Sequence, residues 1–566
     1  MRTEYTYDHY QKYDEITAKL KKYAEQYPDY CRLESIAETR EGRQVWLLSI
    51  TKLSTGDFSE KPAYGVHANI HAGEVTGTEC AMYFIDTLMT NKDDEQIDWL
   101  LSHFTIYAIP RITPDGAEYY LTTPYSLRSV NVMYPYTEVQ PGIQPEDLDG
   151  DGVIRQMRIK NPDGPFKIYD KDPRIMVKRE PHEMTGEFYD VFSEGVIEKY
   201  AESGELTSAP MKFGYDYNRN YPVNWQPEHV QRGAGDFAEQ HPETKGLADY
   251  LYAHKNLCFE LNFHTSGGQI LFPPGHIHTK DAVKEDIDHW RTIGKIANKE
   301  TGYVVLNLLD DYVGEAAGSM GIAGDYDTFA SYAMGIMDFT CECWNLTTRS
   351  GHPETWPRPE HIPDEEEIAI VRDALKWLEE NNNGEGFLNW TKFNHPQLGE
   401  VEIGGFDAKN CVQNPPKQFL QQETEKLTNF LLRCIRTLPR LEIEHPSVTA
   451  VREGIYKVEA DIVNAGYLPT SVLREAEKIE VAKPVRVTFT GAELVSGEAE
   501  TEIGHLSGFS GTKAVYTPFG GIVADRTPSS EHMTWVVAGN AGDTVVITAS
   551  CPRAGKASAC ITLKGE

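Results

Sequence analysis

The sequence predicts an α/β domain followed by an all-β domain, and three observations carry that reading. Ala63–Ile70 is apolar enough for a buried strand and runs towards Thr76-x-x-Glu79, a capping-box pattern, and an amphipathic helix with Cys80, Ala81, Phe84, Ile85 and Leu88 inward. Further strand-like runs, Phe104–Pro110, Leu257–Phe263 and Ile336–Trp344, suit internal strands of a sheet buried on both faces. Beyond residue 441, short alternating segments (Ile455–Val463, Val485–Thr490, Met533–Ala538, Asp543–Ala549, Ala557–Leu563) recur with turn residues between them, the pattern of a β-sandwich.

Taken in order, residues 8–27 have helical periodicity (Tyr13, Ile16, Leu20, Tyr23, Ala24) ended by Pro28, and Gln44–Thr51 is a strand. Residues 128–210 form a long excursion with little periodicity, which in a compact domain marks a functional insertion. Asn381-Asn-Asn-Gly-Glu-Gly386 is a polar, glycine-rich break. The predicted division is 1–385 for the first domain, 386–440 for a linking strand and helix, and 441–566 for an Ig-like β-sandwich with no catalytic constellation of its own.

At 566 residues the chain is too long for one ordinary core. A net charge of -32 argues against a nucleic-acid partner and an anionic membrane surface, since both select clustered Lys and Arg. No window approaches the ~20 apolar residues of a membrane span, and Met1–Tyr7 lacks the form of a signal peptide. The expected location is cytoplasmic, with a secreted form whose leader has been removed as the alternative. Nine cysteines without framework spacing fit reduced thiols. Oligomeric state is not legible.

The chemistry gathers in four stretches. His71 and Glu74 lie three residues apart in the turn from strand to helix, at the carboxyl end of a strand, where open α/β sheets place ligands. An imidazole and a carboxylate are donors suited to zinc, although such a pair alone is weak evidence. Asp216-Tyr-Asn-Arg-Asn-Tyr-Pro222 follows; then Leu257–Thr265, which delivers His264 at a strand end beside a Thr-Ser-Gly-Gly turn; then Met337–Trp344, where strand alternation sets Glu342 opposite Cys341 and Cys343 and weakens a Cys-x-Cys metal reading.

This order resembles the M14 family of zinc metallocarboxypeptidases, the carboxypeptidase A type, over about residues 5 to 380. The resemblance implies a mixed, mostly parallel sheet flanked by helices, ahead of the C-terminal β-sandwich. It implies one zinc per chain on His71, Glu74 and His264, with the fourth position open, and Asp216 accepting the second ring N–H of His71. Asn218 and Arg219 would grip the substrate's free carboxylate, for which a guanidinium offers two parallel donors. Glu342 would take a proton from the attacking water and pass it to the leaving amine. The arginine that polarises the scissile carbonyl is assigned to Arg158, with Arg155 as its rival. Peptide or protein C-termini are the implied partners, and the expectation is an enzyme not made as a zymogen, with a pro-segment outside this sequence as the alternative.

The chain departs from the family in two places. Tyr312, Tyr326 and Tyr332 all miss the family's tyrosine spacing, and Gly73 replaces an arginine between the metal-binding His and Glu. In Gly324–Tyr332, Asp325 or Asp327 at the pocket floor would select a C-terminal Lys or Arg, whereas Thr328, with Phe329 packing, would make it neutral. Asp147, Asp149 and Asp151 copy the front of a calcium loop, but Arg158 stands where the bidentate Glu belongs, which favours a plain acidic turn over Ca2+. The alternatives are a zinc amidohydrolase or acylase, including one for peptidoglycan-type γ-linkages, and a non-catalytic protein that retains zinc.

Overall fold

A computed structural model describes residues 3–314, 321–357, 359, 361–516 and 521–564. Its centre is an eight-stranded mixed sheet built from β1 (Cys31–Glu38), β2 (Gln44–Ile50), β3 (Ala63–Ala68), β4 (Thr105–Ile109), β5 (Leu257–Thr265), β6 (Gln269–Phe272), β7 (Val304–Asn307) and β8 (Met337–Cys343). The spatial order is β1-β2-β4-β3-β5-β8-β6-β7, and the four central strands run parallel. β3 and β5 are buried along their whole length because helices cover both faces, so neither shows a solvent-facing alternation.

Alternation along β5 still sorts its side chains. Phe259, Leu261 and Phe263 enter the core shared with helices Thr76–Thr90, Lys284–Thr301 and Lys417–Ile435. Glu260, Asn262 and His264 take the other face by the two-residue period, where Tyr250 and Tyr326 donate to the Glu260 carboxyl at 3.1 and 2.5 Å.

The capping box foreseen at Thr76 and Glu79 is not formed. Val75 is the N-cap of helix Thr76–Thr90 and offers no side-chain bond. Glu79 is drawn to Gln11, whose backbone N–H donates to it at 2.7 Å, and Asn414 Oδ1 accepts from Thr76 N at 3.2 Å.

The excursion has more structure than its sequence suggests. Its strands Gln156–Lys160, Phe166–Ile168, Met176–Lys178 and Tyr189–Ser193 join Phe387–His395 and Gly399–Phe406 in a six-stranded sheet. Residues 386–440, expected as a linker, are therefore packed into the first unit: their hairpin completes this sheet, and helix Lys417–Ile435 fills the main core with Leu427, Phe430 and Leu431. Both sets of contacts are long-range pairings, to which local composition is blind.

The C-terminal region is a β-sandwich of two four-stranded sheets. Val458, Ile462, Val487, Phe489, Trp535 and Ile547 form its core, and Ile455–Asn464 alternates strictly between half-exposed and buried positions. It docks on the α/β unit partly through buried Arg553, whose guanidinium donates to Gly335 O at 2.7 Å and Met334 O at 2.6 Å. All nine cysteines are free thiols. Among the described residues, no helix is long and apolar enough to cross a membrane.

Burial pushes the Glu260 carboxyl up from 4.5 to about 7, against the two tyrosine hydrogen bonds that favour its ion. The native state thus keeps a proton that the unfolded chain releases between those values, and stability falls as pH rises through that window. Glu260→Gln should flatten this slope. Between acidic and mildly alkaline pH it should gain up to about 3 kcal/mol relative to wild type, measured by urea unfolding.

Candidate metal centre

The turn after β3 is shaped by Asn69, which adopts φ 64° and donates through Nδ2 to His71 O at 2.7 Å and Ala72 O at 3.2 Å. Asparagine tolerates this left-handed conformation because its short amide can bond locally. The chain then doubles back, with Glu74 N donating to His71 O at 3.1 Å. The following helix sits close on β5: a Cβ at Gly77 would lie 2.4 Å from Phe263 Cβ, next to His264. His264 and Glu342 are direct partners in the β5–β8 register.

His71, Glu74 and His264 are all buried and converge. His71 Nδ1 is 2.8 Å from Glu74 Oε1, His264 Nδ1 is 2.8 Å from Glu74 Oε2, and the two Nδ1 atoms are 3.2 Å apart. The opposite nitrogen of His71, Nε2, lies 3.0 Å from Asp216 Oδ1. A proton shared there leaves the Nδ1 lone pair facing Glu74, the tautomer a metal ligand requires. The three ligand atoms lie close enough together to hold a metal ion, and the N, N, O donor set fits zinc with a position to spare.

The charges around this group are strongly coupled. Burial and Arg128 push the His71 imidazole down, but Glu74 and Asp216 outweigh them and its pKa is raised. Burial would lift Glu74, yet His71 and His264 hold it far below the usual carboxylate range. Arg128, His71 and Arg219 likewise hold Asp216 well down against its burial. Glu342 goes the other way, pushed well above the usual range by burial and by the charge of Glu74.

The arginine at this centre is Arg128, not Arg158. Arg128 Nε donates to Asp216 Oδ2 at 3.0 Å, and its Nη1 is 3.6 Å from Glu74 Oε1. Arg158 belongs to the six-stranded sheet, where it pairs with Glu402 at 2.7 Å and stacks over Trp390, and Arg155 is paired with Asp151. Arg128 opens the excursion directly after helix Pro114–Thr122, and that nearness to the sheet's carboxyl edge was the available signal.

Asn218 is buried and accepts from Tyr326 N at 2.8 Å, while Arg219 Nη1 donates to Asn218 O at 2.6 Å. Tyr326 is committed to Glu260, Tyr312 stacks on Trp356, and Tyr332 meets His276 edge-on. Asn262 Nδ2 donates to Asp327 Oδ1 at 2.7 Å and to Asp338 Oδ2 at 2.9 Å; burial and the neighbouring Asp327 push the Asp338 carboxyl well up, whereas hydrogen bonds hold Asp327 down against its burial. Asp325 is buried and spends Oδ2 on Thr328 N at 2.9 Å, leaving Oδ1 without a partner; burial and Asp327 push it up to about 6.

At Gly73 an added Cβ would lie 2.8 Å from Tyr120 Cε2 and 2.9 Å from Gln413 Oε1, so the space an arginine would need is filled. The Asp147, Asp149 and Asp151 carboxylates close their own turn, Asp147 accepting from Gly150 N at 2.8 Å and Gly152 N at 2.9 Å. With Arg155 on Asp151 and Arg158 on Glu402, this acidic turn gives calcium no support.

A family model described as zinc carboxypeptidase matches residues 16–138 and 154–369, and a domain of unknown function (DUF8731) matches residues 440–562. Carboxypeptidase B of Astacus astacus is 34% identical over 113 residues, 20% of this chain and 35% of that protein. Carboxypeptidase D of Anas platyrhynchos is 21% identical over 43% of this chain and 18% of its own length. The chain thus spans about a third or less of these relatives. Among solved structures, carboxypeptidase A from Helicoverpa armigera aligns with a TM-score of 0.39 and 16% identity, covering 67% of this chain and 74% of its own. The carboxypeptidase model takes in more than half of the chain, together with His71, Glu74, Arg128, Asn218, Arg219, His264 and Glu342. The chain belongs to the zinc carboxypeptidase family.

Proposed function

We propose that the protein is a zinc-dependent metallocarboxypeptidase that removes the C-terminal residue of peptides. The observation that carries this reading is the gathering of four kinds of group at one edge of the sheet: the His71–Glu74–His264 donor set, Glu342 in register with His264, Arg128 against Asp216 and Glu74, and the Asn218–Arg219 pair. Zinc, when bound, supplies Lewis acidity towards water and the scissile carbonyl.

The chain's own residues do the remainder. Arg219 and Asn218 hold the free α-carboxylate and so set which peptide bond meets Glu342. Glu342 accepts a proton from the attacking water and hands it to the departing amine, and its raised affinity for a proton suits the second half of that cycle. Arg128 presents a permanent charge to the oxygen that becomes negative as the carbonyl is attacked. The Oδ1 of Asp325, buried and without a partner, favours a substrate ending in Lys or Arg.

His264→Ala should lose most of its zinc by metal analysis after dialysis; full occupancy would move the third ligand elsewhere. Glu342→Gln should keep zinc and fold but lose at least roughly a hundredfold in kcat. Arg128→Gln should fall by a similar order, about 10²-fold, while Arg158→Gln stays within a few-fold of wild type; the reverse ranking would restore Arg158 to the reaction. Peptides ending in a free carboxylate should be cleaved and their amides left intact, with Arg faster than Phe at the terminus. Equal rates on acid and amide would point to an amidohydrolase.

A further inference from the structure

We propose that Asn414 is a positioning residue for the metal centre, holding the Glu74 turn from a segment that lies beyond the family-matched residues 16–369. The assignment rests on the zinc reading above. Helix Thr76–Thr90 begins with unpaired N–H groups, as every helix does, and has no cap of its own. Asn414 supplies that cap from outside: its Oδ1 accepts from Thr76 N at 3.2 Å and from Thr76 Oγ1 at 2.8 Å. Its Nδ2 donates to Gly73 O at 2.8 Å. One amide therefore grips the peptide just before Glu74 and the residue two after it. A side chain with a donor and an acceptor on the same carbon is needed for this, which Asn provides and an ionised Asp does not.

Asn414 is itself fixed. It is fully buried, its N–H donates to Lys409 O at 3.2 Å, and its Nδ2 also meets Tyr120 OH at 3.2 Å. Lys409 Nζ ties the same segment to the chain that leads into Arg128, donating to Tyr120 O at 2.5 Å, Thr123 O at 2.8 Å and Tyr125 O at 3.1 Å. Pro415 and Pro416 follow with restricted φ, and Tyr10 OH donates to Pro415 O at 2.6 Å. The clamp is rigid on the side away from the metal and polar on the side facing the turn, as a support that orients a ligand must be.

The test uses full-length protein and two substitutions, Asn414→Ala and the milder Thr76→Val, which removes only the hydroxyl donor. Zinc affinity is measured by competition with a chromogenic chelator, beside thermal melting of the metal-free proteins and the cobalt(II) absorption spectrum. Asn414→Ala should weaken zinc binding by roughly 10- to 100-fold, the range for groups that orient a metal ligand, and shift the cobalt bands. Thr76→Val should weaken it by a few-fold, and it decides the matter alone where the alanine variant fails to fold. Affinities within twofold of wild type and an unchanged cobalt spectrum, with only the melting temperature lowered, would reduce Asn414 to packing and overturn the assignment. Zinc affinity unchanged in His264→Ala would overturn the zinc reading and this assignment together.

Discussion

A carboxylate buried as completely as Glu74 is tolerable only if opposite charge and hydrogen-bond donors surround it, and that demand organises the sheet's carboxyl edge. His71, from the turn after β3, and His264, from the end of β5, meet its two oxygens, Arg128 stands behind, and Asp216 balances the positive charges from the far side of His71. Each partner comes from a separate part of the chain. The strands can therefore neither slip nor separate without leaving a charge unpaired, since a one-residue slip of β5 would turn His264 into the helix-side core. The electrostatics of the site and the register of the sheet are one constraint.

What could be read in advance was what repeats locally or sits on a regular element. His71 and Glu74 at the exit of an apolar strand, His264 at the end of another, Glu342 opposite two cysteines by alternation, and the sandwich strands beyond residue 441 all have signals a few residues long. The structure brings the first four together. What was missed depends on distant pairing. Arg158 and Arg128 are both arginines in a stretch with little periodicity, and only the formation of a second sheet with residues 387–406 takes Arg158 away. The capping box failed for the same reason: Thr76 and Glu79 have the right spacing, but Gln11 and Asn414 compete for them and win.

The acidic residues before β8 show how burial differentiates like groups. Asp327 and Asp338 share the Asn262 amide and are driven in opposite directions, Asp327 down and Asp338 up, whereas Asp325 keeps an oxygen without a partner. Gly73 is a parallel case within the His71–Glu74 turn, where Tyr120 and Gln413 occupy the room that a longer side chain would take. Substitution at one position and filling from elsewhere belong to a single steric solution.

The clamp on the Glu74 turn has a consequence for biogenesis. Its two halves, Thr76 and Asn414, are 338 residues apart in the chain. A nascent polypeptide that has emerged through β8 holds every metal-facing side chain but lacks the amide that caps their helix. Closing so distant a contact is entropically slow, and high contact order delays folding. The last part of the affinity for a metal would thus be acquired late in synthesis, once residue 414 has left the ribosome, rather than stepwise with each ligand.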